Sequence, residues 1–111
     1  MPDVMTDRRA APRFPLMVLA EVTNPVASTK LKGRTSDVSR TGCYIDTLHP
    51  TPLGSEVHLR LQKDRENFEV DARIVYVSPG QGMGVMFAPN IPADQLAILD
   101  RWLAGAAKGK H

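Results

Sequence analysis

Hydrophobic and polar positions alternate with a period of two in several short segments, the signature of strands buried on one side. Ser55 to Gln62 is the most regular: Val57, Leu59 and Leu61 point one way, Glu56, His58, Arg60 and Gln62 the other. Glu69 to Val77 places Val70, Ala72, Ile74 and Tyr76 on one face, and Met83 to Ala88 places Val85 and Phe87 inward. Gly42 to Leu48 sets Cys43 and Ile45 against Tyr44 and Asp46. Phe14 to Val22 is apolar and rich in β-formers, with Met17 and Leu19 outward, and Leu31 to Val38 is a less regular sixth strand. Turn residues fall between the segments, at Asn24-Pro25, Arg40-Thr41-Gly42, His49 to Gly54, Lys63 to Asn67 and Ser78 to Gly82. Six short strands at regular spacing predict an all-β fold, an antiparallel sheet closed into a barrel.

The period changes after Pro89. In the run from Ala93 to Gly105, Leu96, Leu99 and Leu103 share one helical face, and Ile98 and Trp102 share another. Pro92 suits a first helical turn and Gly105 a stop, which predicts a C-terminal α-helix over 92–104 packed on an opening or edge of the barrel. The chain thus divides into an N-terminal arm (1–13), a barrel with its helix (14–105) and a short disordered tail (106–111).

Composition narrows the class. With 111 residues, 42% hydrophobic and 23% charged, the chain fits one ordinary globular domain. One cysteine excludes an internal disulfide and points to a reduced compartment, so a cytoplasmic location is expected. The longest apolar run, Leu16 to Ala20, is strand-sized, and no apolar stretch follows the charges of the N-terminus, so neither membrane insertion nor a secretory signal is expected. A net charge of +2 does not mark a nucleic-acid binder, so any anion site must come from local clustering.

Two clusters carry candidate chemistry. The first is DRRAAPRF, with Arg8, Arg9 and Arg13. Pro12 removes an N–H and biases Ala11 away from helix, so the segment is an extended arm. Guanidinium forks fit phosphate oxygens or the O6/N7 edge of guanine, two bonds at a time. Taken alone, a solvated basic arm is the simpler reading. The second cluster is DVSRTGCYI. Asp37 offers a carboxylate that can accept from the N1/N2 edge of a guanine, Ser39 adds a hydroxyl, and Gly42 permits a positive φ and a close approach of the backbone to a ligand. Taken alone, this is an ordinary β-turn.

In combination the two spell RxxxR and then, 24 residues after Arg13, DxSxxG, with GMGVMF from Gly82 to Phe87 ahead of the helix. This pattern, from about Asp7 to Trp102, resembles the PilZ domain, the bacterial receptor module for cyclic di-GMP. The resemblance implies a six-stranded split barrel with the arginine arm folded over one surface. It implies that Arg9 and Arg13 clamp phosphates and guanine edges, that Asp37 and Ser39 bind guanine from the barrel side, and that Gly42 shapes the turn. Arg8, ahead of RxxxR, looks like the version that takes an intercalated pair of ligands. A non-catalytic receptor is implied, with no cofactor beyond cyclic di-GMP, acting through a downstream protein by a change of shape. A ligand-independent adaptor in pilus or motility assembly is the alternative.

Other constellations carry less. Gly80, Gly82 and Gly84 do not complete a dinucleotide loop, because Val85 occupies the third position and a strand follows. His49, His58 and His111 have no zinc-ligand spacing with Cys43, so no metal is expected. Cys43 reads as a buried small hydrophobe and Ser39 has no nearby histidine, so no nucleophile is expected either. Single-stranded nucleic-acid barrels display exposed aromatics. Here Phe14, Phe87, Tyr76 and Trp102 are expected to be buried, so nucleic acid is not an expected partner. Lys63 to Glu66 read as a solvated hairpin loop.

Overall fold

The structure, a computed structural model, describes residues 11–108. Seven antiparallel strands form one sheet: β1 (Phe14–Pro15), β2 (Leu19–Asn24), β3 (Thr29–Val38), β4 (Gly42–Asp46), β5 (Glu56–Lys63), β6 (Glu66–Ser78) and β7 (Gly82–Phe87). Their order is β1-β3-β2-β5-β6-β7-β4, and β3 also pairs with β4. That last pairing closes β2 to β7 into a six-stranded barrel, as expected, and leaves no open edge among them.

The expected single strand from Phe14 to Val22 is two. β1 pairs with the end of β3 (Phe14 opposite Val38, Pro15 opposite Asp37), and β2 starts opposite Arg34. Between them one residue, Thr35, stands in for the ladder, and its amide donates to the Val18 carbonyl (2.9 Å). Thr35, fully buried on β3, donates its hydroxyl to the Leu16 carbonyl (2.7 Å) and accepts the Val18 amide (3.0 Å). Pro15, which has no N–H to give, makes such a break inexpensive.

Inward positions of all six barrel strands make one core with the helix. Leu59, Leu61, Phe68, Ile74, Ile45 and Met83 are essentially inaccessible to solvent. Helix α1 (Ala93–Lys108) lays Leu99, Trp102 and Leu103 on this core. Phe68 connects them: its ring centroid lies 5.3 Å from that of Phe87 and 6.5 Å from that of Trp102. The helix is also tied by polar groups. Trp102 Nε1 donates to Glu66 Oε1 (3.0 Å), Arg101 pairs with the same carboxylate (2.6 Å), and the Glu69 amide donates to Gln95 Oε1 (2.7 Å). Glu66 is therefore an anchor for the helix as well as the first residue of β6, and the loop shrinks to Asp64 and Arg65, Asp64 taking a left-handed φ of 56°. α1 runs three residues past Gly105 to Lys108, so the expected stop does not operate. Among the described residues no helix is long and apolar enough to cross a membrane.

On the outer wall His58 sits between two carboxylates, with Nε2 2.9 Å from Glu69 and Nδ1 3.2 Å from Asp71. The hydrogen bond with Glu69, aided by Asp71 against partial burial, raises its pKa above the usual 6.5. A raised folded-state value favours the fold while the imidazole is charged. The contribution is complete below the unfolded pKa and fades as pH rises through the folded one. Thermal midpoints recorded from about pH 6 to about pH 9 should carry a small downward component that His58→Gln removes; an identical pH profile in the variant would contradict this.

Candidate functional site

Two strands depart from strict alternation at one level of the barrel. On β3 the register with β4 shifts between Thr35 and Asp37, so Thr35 points inward and Asp37, two residues on, does not. On β6 the register with β7 shifts between Ile74 and Tyr76, so Ile74 is buried and Tyr76 is 57% exposed. β-Bulges re-aim side chains in this way and are common beside binding sites. The result is one register row across the outer wall, with Asp37 opposite Tyr44, Tyr44 opposite Gly84 and Gly84 opposite Tyr76.

Over this row lies a cleft of about 540 Å³, within the range of small-molecule sites, lined by residues that include Arg13, Ser39, Gly42, Tyr44, Tyr76 and Met86. A separate groove of about 450 Å³, between Met17, Leu19, Arg34 and Asp46, holds none of the motif residues. Of the motif residues, Arg13, Ser39 and Gly42 line the first cleft, and Asp37 meets Arg13 beside it. Arg13 donates from Nε (3.1 Å) and Nη2 (2.9 Å) to Asp37 Oδ1, joining RxxxR to DxSxxG across 24 residues of sequence. The pair is solvent-accessible and contributes little to stability. Arg8 and Arg9 lie outside the described residues.

The turn from Ser39 to Gly42 is built by its own side chains. Ser39 is buried, and its Oγ accepts the amides of Thr41 (3.1 Å) and Gly42 (3.2 Å). Its hydroxyl therefore shapes the site before it meets any ligand. Gly42 is needed for a different reason from a positive φ, which among the described glycines only Gly54 and Gly80 adopt. A Cβ on Gly42 would stand 2.2 Å from the Val85 carbonyl oxygen. Arg40, in the same turn, points to the helix and pairs with Asp100 through Nε (2.9 Å) and Nη2 (3.3 Å).

Cys43 lies beneath the row and faces the core. Burial, and then the charge of Asp37, push its thiol far above the ordinary range, so it is no nucleophile at neutral pH. Among the described residues no group of histidine, cysteine and carboxylate side chains is placed to hold a metal ion. Tyr76 overturns an expectation: alternation placed it in the core, and the bulge turns it into the cleft. The signal that could have shown this is Ile74-Val75-Tyr76-Val77, where four apolar residues in succession suspend the period of two.

Known structures share the architecture. The PilZ domain of CeSA from a cellulose synthesizing bacterium is 27% identical, with 85% of this chain and 96% of that chain covered and a TM-score of 0.67. The PilZ domain of YcgR from Escherichia coli, solved with c-di-GMP, is 15% identical, with 91% and 92% covered and a TM-score of 0.75. The Bacillus subtilis inhibitor of motility MotI/DgrA is 13% identical with a TM-score of 0.74, and this chain spans about half of its length (94% of this chain, 54% of that chain). The last two likenesses are likenesses of fold. A search of curated proteins gave no match. The model of the family described as "PilZ domain" matches residues 7–105, nearly the whole sequence and both motifs included, and the chain belongs to that family.

Proposed function

We propose that this domain is a receptor for cyclic di-GMP, bound in the cleft between the arginine arm and the Ser39–Gly42 turn, and that it signals by altered shape and partner binding. PilZ domains are non-catalytic signalling and adaptor modules. The observation that carries the reading is the Arg13–Asp37 pair, which joins the cationic arm to the carboxylate beside a ligand-sized cleft. Cyclic di-GMP presents two phosphate charges and two guanines. Arg9 and Arg13, with Arg8 where a second ligand is stacked, supply forks for phosphates and the O6/N7 edge, and Asp37 accepts from the opposite edge of guanine. Ser39 and Gly42 hold the turn at the height this requires.

Arg13 and Asp37 satisfy each other, so the ligand must enter a charge pair that already exists. Because that pair is exposed and weak, exchanging it for phosphate and guanine contacts costs little. The exchange reorders the arm against the barrel, which is the change a cytoplasmic partner protein would read. Calorimetric titration with cyclic di-GMP tests the reading and gives stoichiometry with affinity. Saturable binding in the micromolar range or tighter, about −8 kcal/mol, is expected. Asp37→Ala should erode the preference for cyclic di-GMP over cyclic di-AMP more than it erodes phosphate attraction. The absence of heat and of any shape change on addition of ligand would leave the family's adaptor role, without ligand, as the better account.

A further inference from the structure

The outer wall carries an apolar surface that the cyclic di-GMP reading does not use. Met17 and Leu19 both face water, 66% and 57% exposed. They line the groove of about 450 Å³ together with Lys32, Arg34 and Asp46, apart from the motif residues. Single exposed apolar side chains are ordinary, whereas two side by side in one hollow mark an interaction surface. A smaller hollow of about 130 Å³ shares Leu19 and Lys32 and adds Glu21 and Gln62. The depression therefore crosses the wall from Asp46 on β4, over β3 and β2, to Gln62 on β5.

Its cations are uncommitted. Arg13, Arg40, Arg60, Arg73 and Arg101 each lie against a carboxylate. Lys32 and Arg34 join no ion pair among the described residues, although Arg34 stands opposite Asp46 in the β3–β4 ladder. The Arg34 guanidinium rests on Met17 instead, with Nη1 3.7 Å from Sδ. Glu21, the carboxylate nearest Lys32 in the β2–β3 ladder, is shared between Lys30 (3.8 Å) and Arg60 (3.6 Å). A guanidinium laid on an exposed thioether joins charge to apolar surface, and arginine and methionine are both enriched where proteins recognise each other.

We propose that this groove docks a short acidic segment of a partner protein, with one bulky apolar side chain seated between Met17 and Leu19 and flanking carboxylates on Lys32 and Arg34. β2 and β3 each have a strand on both sides, so the segment cannot add to the sheet and is read through its side chains. Asp46 on the far rim sets its direction, because that end favours an N–H donor or a basic side chain. Two copies of this chain meeting groove to groove would bring Lys32 and Arg34 against their own kind. A lipid surface takes protruding apolar groups, and here they line a hollow. Single-stranded nucleic acid takes aromatic platforms, and none of the residues lining this groove is aromatic. The proposal gives a surface to the partner binding of the receptor reading, but it rests on the groove alone and stands or falls without cyclic di-GMP.

Selection from a random-peptide phage library on the purified protein tests this, with the double variant Lys32→Glu/Arg34→Glu as counter-target. Enriched clones should carry an apolar residue flanked by Asp or Glu. The synthetic peptide made from them should bind the double variant at least about tenfold more weakly than wild type. In NMR it should shift the methyl signals of Met17 and Leu19 and leave those of Val75 and Met86, in the ligand cleft, in place. Both substituted side chains are exposed and unpaired, so the double variant should keep its fold, which a thermal melt checks. Should it unfold, the methyl shifts of wild type decide alone. Equal enrichment on the two proteins, equal affinity for them, or shifts on another face overturns the proposal. So does tighter binding of phosphatidylglycerol vesicles or of an oligonucleotide than of any selected peptide, which would assign the groove to a polyanion. None of these results touches the receptor reading, which the cyclic di-GMP titration decides.

Discussion

Arg13→Ala is expected to weaken cyclic di-GMP binding about a hundredfold, with hardly any change in melting temperature. The guanidinium presents two donors on one side, and charge-assisted hydrogen bonds contribute about 1.5–3 kcal/mol each. Losing both would cost about 3–6 kcal/mol, and the bonds to Asp37 that Arg13 surrenders on binding offset part of this, leaving the ~2.7 kcal/mol that a hundredfold represents. A second effect runs the same way. Without Arg13 the Asp37 carboxylate, now its partner at 2.9 Å, stands unneutralised where an anionic ligand must approach. Stability is nearly untouched because an exposed pair of this kind contributes at most about 1 kcal/mol. Arg13→Lys separates charge from geometry: it keeps the cation and loses the planar fork, so it should recover only part of the affinity. Arg9→Ala, at the other end of the motif, should cost more than tenfold. Calorimetry and thermal melts on the same samples measure both quantities. An Arg13→Ala protein that titrates like wild type would remove the arm from the site.

The strands were legible because their alternation is a direct consequence of one buried face. Val57, Leu59 and Leu61 are the plain case, buried as their spacing requires. The helix was legible from Leu96, Leu99, Leu103 and Trp102, whose spacing leaves an apolar stripe in need of a surface. What escaped depends on contacts between segments distant in sequence. Tyr76 turns outward because β6 carries an extra residue opposite Gly84, a register fact that belongs to the pair of strands. Thr35 is buried because Leu16 and Val18 need its hydroxyl, and a lone threonine in a basic strand gives no sign of that. The motif residues were legible as a set through their order and spacing. Their division of labour was not: Ser39 turns its hydroxyl on its own backbone, while Arg40, a position between motif residues, bridges to Asp100 on the helix. The row from Asp37 to Tyr76 uses four strands, and no local reading assembles it.

Gly42→Ala is expected to lower the stability of the fold by about 3 kcal/mol, near the upper end of what overpacking costs. The reason is the atom in the way. The added methyl would meet the Val85 carbonyl oxygen at 2.2 Å, and Val85 carbon and Met86 Cα at 3.2 and 3.3 Å, all of them backbone. A flexible side chain could swing aside, whereas here β4 must move off β7. Gly42 is paired with Met86 in that ladder, its carbonyl accepts the Ser39 amide, and the neighbouring Thr41 carbonyl accepts the Phe87 amide. A shift large enough to clear the clash therefore disturbs several hydrogen bonds and the turn that Ser39 organises. For a domain of this size the thermal midpoint should fall by more than about 10 °C. Gly105→Ala supplies the opposite case. It lies inside α1 with nothing within 4 Å of a new Cβ, so removing the glycine should stabilise the helix by up to about 1 kcal/mol. Denaturant titrations of the two variants separate close approach from mere glycine content. If Gly42→Ala unfolds at the wild-type midpoint, β4 and β7 are not held as close as the geometry requires, and the family's glycine at this position needs another explanation.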